Sequence, residues 1–197
     1  MGVPGNFAQE VDALTLARAR RGDMHAHAQL YRCFGHACFN LALRIVGSRA
    51  SAEDVVQEVF LKMIDAIGGY RGAAPFGAWL KRMTANAAID QLRSQRHQDD
   101  GDPEQIFAEM PAAGSTSPAL AHDAWTLLQR LPMRARAIVV LHELEGYTHR
   151  ELAELFGQTE SYSKSILARS LQRLHEWLGS DSSLDARHDH VNALAVR

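Results

Sequence analysis

The sequence predicts an all-α protein, with two small helical domains joined by a flexible acidic linker. Three observations point there. The 197 residues are rich in Ala, Leu, Arg and Glu and poor in consecutive β-branched residues, which favours helix over strand. Apolar side chains recur at three- and four-residue steps on either side of the chain's middle. Between those stretches, residues 97–122 hold 5 Asp/Glu and no Lys/Arg, with Pro, Gly and Ser clusters that prevent a long helix. A hydrophobic content of 46% supports globular folding, and the length suits two domains near the lower size for an independent core.

The first domain spans 1–96. Its first clear helix carries Arg20-Arg21-Gly22-Asp23 and Leu30-Tyr31. Cys33 and Cys38 sit on it five residues apart, roughly 140° around the axis, which is poor placement for a disulfide. His25, His27 and His36 are near. Two readings stand: buried thiols with surface histidines, or a metal or redox site, although no standard ligand spacing is present.

The next helix reads as starting at Ser51, an N-cap, with Glu53 and Asp54 in a first turn that favours acids. Val55, Val56, Val59, Phe60, Met63 and Ile64 fall on one side. Asp54, Gln57, Glu58 and Asp65 fall on the other, with Leu61 among them. Gly68-Gly69 ends the helix, and Tyr70 to Pro75 is a loop. A helix from near Phe76 then aligns Trp79, Arg82, Asn86, Asp90 and Arg93 on one stripe, beside an apolar face begun by Leu80, Met83 and Ala87.

The linker 97–122 contains Asp99-Asp100-Gly101-Asp102-Pro103 and Pro111-Ala112-Ala113-Gly114-Ser115-Thr116-Ser117-Pro118. The second domain, 123–178, opens with a helix holding Trp125, Leu127, Leu128 and Leu131 and ending at Pro132. A helix from Arg134 to Leu144 follows. Thr148-His149-Arg150-Glu151 is a capping box. Ala153 is small where two helices cross, and Gly157 supplies a left-handed turn. The last helix runs from Glu160 to Leu178, with Leu167, Leu171, Leu174 and Leu178 as its buried stripe. Ser161, Ser165, Ala168, Arg169 and Gln172 face outward. This is a helix-turn-helix, its second helix available to the major groove. Residues 179–197 read as a disordered polar tail.

Charge divides unevenly. Residues 1–96 carry 12 Lys/Arg and 8 Asp/Glu, a net of +4, and the linker −5. Residues 123–178 balance, and the tail carries −1, for a chain total of −2. So little net charge predicts feeble DNA binding by the chain alone, because nonspecific affinity scales with phosphates neutralised. No apolar run is long enough to cross a membrane. Met1 to Glu10 lacks a signal peptide's basic start and apolar core, and Asn6 breaks a myristoylation motif. A cytoplasmic location without membrane insertion is expected.

AEDVVQEVFLKMIDAI, followed by YRGAAPFGAWLKRMTANAAIDQLRSQR, resembles conserved region 2 of the bacterial sigma-70 family. LPMRARAIVVLHELEGYTHRELAELFGQTESYSKSILARSLQRL resembles its region 4. The compact form, with regions 2 and 4 alone, is similar to the extracytoplasmic-function group. Two positions depart from the pattern: Ser163 where an apolar residue usually sits, and Ile166 where a basic one is usual. Tyr162 is placed to fill part of the core that Ser163 leaves.

The resemblance implies a factor that binds core RNA polymerase and directs promoter recognition, DNA melting and initiation, under an anti-sigma factor. Asp54, Gln57, Glu58, Phe60 and Leu61 would dock on the β′ clamp coiled coil, and region 4 would meet the β flap. Tyr70, Arg71, Phe76, Trp79, Lys81, Arg82, Asn86, Arg93 and Arg96 would serve the −10 element. Lys81, Arg82, Arg93 and Arg96 would hold phosphates, and the loop from Tyr70 would capture a flipped base stacked on Tyr70 or Phe76. Trp79 reads either as a stacking ring or as core. Asn86 and Asp90 read either as contacts or as helix-orienting groups, with Asp90 pairing to Arg93 or Arg82. Lys164, Ser165, Arg169 and Ser161 would read the −35 element, with phosphate support from Arg150 and Arg173. The acidic linker would thread through the polymerase as a nucleic-acid mimic, or serve as a plain tether.

No catalytic constellation, metal motif or cofactor site is evident. The alternative reading is a stand-alone helix-turn-helix regulator that binds DNA without polymerase. An enzyme or redox sensor using His25, His27, Cys33, His36 and Cys38, and an adaptor that binds polymerase without opening promoters, are further rivals.

Overall fold

The computed structural model describes residues 6–95 and 120–194, with side-chain environments over 6–94 and 124–178. Every regular element among the described residues is a helix. Two compact units divide the chain, 1–98 and 99–197. Arg96 and linker residues 97–119 lie outside the described residues.

In the first unit, α1 (Ala13–Arg20) is capped by Asp12, whose carboxylate accepts from the Thr15 amide. The chain then turns at Gly22, φ 82°, so the single helix expected across Arg20 to Tyr31 is two. Asp23 caps α2 (Met24–Val46), and Gly47 ends it in the left-handed region. The third helix, α3 (Arg49–Ala66), begins earlier than its sequence suggests. Ser48 is the cap, accepting from the Ser51 amide, so Ser51 lies inside the first turn. A 3₁₀ turn, Ile67–Gly69, follows. The loop then leads to α4 (Phe76–Gln95).

The helices α2, α3 and α4 pack pairwise into a bundle, with α1 against α2. Leu30, Phe34, Leu41, Ile45, Val55, Val59, Met63, Leu80 and Ile89 form the core. Ile64, expected on the buried side of α3, is 37% exposed. It sits at the edge of the apolar arc, where α2 and α4 do not reach. A side chain at Gly77 would meet the Phe7 carbonyl oxygen at 1.9 Å. That glycine lets the backbone at Phe7 come close to the start of α4.

His27 is buried, not at the surface: its Nε2 lies 2.9 Å from the Ala19 carbonyl at the end of α1. Cys33 and Cys38 are both free thiols. Burial pushes the Cys38 thiol up to about 11, which keeps it protonated and unreactive.

In the second unit, α5 (Leu120–Arg130) begins ahead of Asp123, inside the expected linker. Its partner α6 (Met133–Val139) runs straight into a π-helical turn, Val140–Leu144. The capping box forms on α7 (His149–Phe156): the Thr148 hydroxyl accepts from the Glu151 amide, and the Glu151 carboxylate from the Thr148 amide. Gly157 closes α7 at φ 64°. The final helix, α8, spans Glu160–Leu194. The backbone therefore stays helical where a disordered tail was expected. No Pro or Gly follows Gly179 before Leu194, so nothing interrupts the hydrogen-bond ladder.

Both α6 and α7 pack on α8. Ile138, Leu141, Leu152, Phe156, Ile166 and Leu167 lie buried there. The expected leucine stripe is buried only at Leu167. Leu171 is 41% exposed and Leu178 53%, because α8 runs past the helices that cover its start. No helix of the described residues is long and apolar enough to cross a membrane.

Candidate polymerase and nucleic-acid interfaces

The period of α3 sorts its outer face by charge and then by apolar area. Asp54 and Gln57 are exposed, and Glu58 is partly covered and paired with Lys62. Leu61 stands among them, 65% exposed. Phe60 is buried, so it supports this face from beneath and does not line it. Its ring meets Tyr31 of α2 edge-on, with centroids 4.8 Å apart. Tyr31 is itself exposed, as is Ile64. Tyr31, Leu61 and Ile64 are thus three exposed apolar side chains, two on α3 and one packed on its Phe60. Tyr31 and Ile64 were not among the expected docking residues. A period reading of α3 alone cannot see Tyr31, which arrives from another helix.

At the start of α4 three rings gather. Tyr70, Phe76 and Trp79 lie pairwise at 5.4 Å between centroids. Phe76 is buried and also touches Phe34, at 5.7 Å. It is core, whereas the rings of Tyr70 and Trp79 are half-buried. The Tyr70 hydroxyl donates to the Ala74 carbonyl at 2.6 Å and closes the loop. Gly72 holds φ 76° at the bend, and Arg71 is exposed.

Along α4, Arg82, Asn86, Asp90 and Arg93 are exposed. Arg93 pairs with Asp90 at 3.2 Å, which fits the helix-orienting role for Asp90. Lys81 does not belong to this stripe. Two residues on from Trp79, it projects to the other side of the helix, and it is half-buried. Lys81 therefore lies about 100° around the helix from Arg82, off the line that Arg82 shares with Arg93.

On α8, Ser161 and Lys164 are exposed, with Lys164 3.6 Å from Glu160. Ser165 and Arg169 flank them, half-buried, and Arg150 is exposed at the start of α7. Arg173 is exposed as well, but lies nine residues from Lys164 and so half a turn around the axis. Ile166 is fully buried. It takes no basic residue from the outer face, because its position points into the core. Tyr162 is buried beside it.

Ser163 is buried but partnered: its hydroxyl lies 3.0 Å from His149 Nδ1. The His149 ring in turn stacks on His142 at 4.5 Å. A polar link thus joins the π turn, α7 and α8 where an apolar contact was expected. Burial, then the neighbouring His142 and Lys164, hold the His149 imidazole below the ordinary 6.5, against the opposing pull of Glu160 and Glu143. Among the described residues no group of three His, Cys, Asp or Glu is placed to hold a metal ion.

Comparison with known proteins shows the family. The Sigma-70 region 2 family model matches residues 30–98, and the Sigma-70 region 4 model residues 122–174. The ECF RNA polymerase sigma factor SigM of Mycobacterium tuberculosis is 30% identical over 89% of this chain and 88% of its own length. The chain belongs to the sigma-70 family, in its extracytoplasmic-function group. CarQ of Myxococcus xanthus, an RNA polymerase sigma factor, is 31% identical over 83% of this chain and 95% of its own. The fold is shared with two solved structures. CnrH in complex with the cytosolic domain of CnrY aligns with TM-score 0.52 and 22% identity over 85% of this chain and 97% of that one. The sigma factor RpoE in complex with the anti-sigma factor NepR, from Bartonella quintana, aligns with TM-score 0.53 and 21% identity over 78% and 97%.

Proposed function

We propose that this sigma factor docks on the β′ clamp coiled coil of core RNA polymerase through Asp54, Gln57, Glu58 and Leu61, with Tyr31 and Ile64 extending the contact. The observation that carries this is Leu61, a large apolar side chain standing 65% exposed among carboxylates. Exposed acids would steer association with a basic partner, while the exposed apolar side chains supply burial. The loop from Tyr70 and the α4 stripe of Arg82, Asn86 and Arg93 then meet the −10 element. Tyr70 and Trp79 offer the ring faces for an unstacked base. The outer side of α8, through Ser161, Lys164, Ser165 and Arg169 with Arg150, reads the −35 element while the second unit sits on the β flap. The factor has no chemistry of its own, since the polymerase joins the nucleotides, and it works in the cytoplasm where polymerase is found. Restraint by an anti-sigma factor is part of this reading. RpoE of Bartonella quintana, which shares the fold, was solved with one.

The deciding experiment is binding of the labelled chain to bacterial core RNA polymerase, beside a variant carrying Asp54→Arg and Gln57→Ala. Nanomolar-range binding that the variant loses is the expected result. No binding, or equal binding by the variant, would move the stand-alone regulator to first place.

A further inference from the structure

Arg20 is the last residue of α1, outside the region 2 match, and no role above uses it. Its Nη2 donates to the Tyr70 carbonyl at 2.5 Å, and its guanidinium carbon sits 5.6 Å from the centre of the Tyr70 ring. One side chain therefore grips Tyr70 by backbone and by ring, through a charge-assisted hydrogen bond and a cation–π contact. Tyr70 in turn governs the loop. Its amide donates to Ile67, its hydroxyl to the Ala74 carbonyl, and its ring leans on Phe76 and Trp79.

We infer that Arg20 is a positioning residue for promoter melting: it holds Tyr70, and through Tyr70 the loop to Pro75, in the form that receives an unstacked base. This rests on the promoter-melting reading above. A loop held in its receiving form loses less freedom when DNA arrives, so Arg20 contributes to open-complex formation without touching DNA. The separation of Arg20 from Tyr70, fifty residues in sequence, ties the loop to α1 and not to α4 alone.

The test uses full-length protein with core polymerase. Wild-type holoenzyme first selects, from a random duplex library, fragments whose thymines become permanganate-reactive. One selected fragment is then the probe for Arg20→Ala, Arg20→Lys, Tyr70→Ala and the Arg20→Ala/Tyr70→Ala double variant. Arg20→Ala is expected to lower open-complex yield roughly tenfold with core binding unchanged, and Arg20→Lys to recover part of it. The double variant should lie within about twofold of Tyr70→Ala alone, since Arg20 acts through that residue. The salt dependence of DNA binding should be unchanged.

Wild-type yield from Arg20→Ala, or losses that multiply in the double variant, would overturn the inference. So would a salt slope lower by about one, the mark of a direct phosphate contact. If Arg20→Ala does not fold, Arg20→Lys carries the test, and full yield from it overturns the inference. If wild-type holoenzyme opens no fragment, the promoter-melting reading falls and takes this inference with it; if it opens one, only Arg20 is at stake.

Discussion

Phe76 and Ile166 show how one residue's role turns on burial. Both were legible as members of functional segments, one as a stacking ring, the other as an unusual residue on a DNA-reading helix. Both lie in cores. Phe76→Ala should therefore cost about 3–5 kcal/mol in urea unfolding of the intact chain, the range for truncating a buried aromatic. A cost well under 1 kcal/mol would mean the ring is not packed between Phe34 and Trp79. Leu61 is the opposite case, apolar yet exposed. Its place among carboxylates was legible, because a period of 3.6 puts it there whatever surrounds the helix.

At the scale of elements, the link from His142 through His149 to Ser163 joins the π turn, α7 and α8. The sequence marked Ser163 as a gap in an apolar stripe but contained no sign of its partner, fourteen residues away. With its folded value held below 6.5, the His149 ring favours the neutral form in the native state. The native state is then least able to bind the proton. Stability of this unit is fully present above about 6.5 and declines as pH falls toward the folded midpoint. An NMR titration of the His149 ring should give a midpoint below 6.5, and His149→Gln should flatten the pH dependence of unfolding. A midpoint at or above 6.5 would contradict this account. Element ends were less legible than element centres. Ser48 and Ser51 both suit a cap, and only the backbone path out of Gly47 selects the first.

For the whole molecule, the chain divides into two compact units. A near-neutral total charge predicts feeble DNA binding by the chain alone. Replacing Arg82 and Arg93 together by Ala should weaken promoter opening about tenfold or more while polymerase affinity stays within about twofold, because α3 and α4 present separate faces. Filter binding to core polymerase and permanganate footprinting check the two halves. Loss of polymerase binding in that variant would mean the faces are assigned to the wrong partners.

By itself the sequence determined that the chain is helical, that Thr148 caps α7 and Gly157 closes it in the left-handed region, and which family's motifs it holds. These follow from local period, composition and short-range hydrogen bonding, each complete within a few residues. Only the tertiary structure decided which rings are core and which are available, that Tyr31 packs on Phe60 of α3, and that Arg20 holds Tyr70. Those facts depend on which distant segments meet. Burial and partnership belong to pairs of elements, and no window along a single helix contains both members.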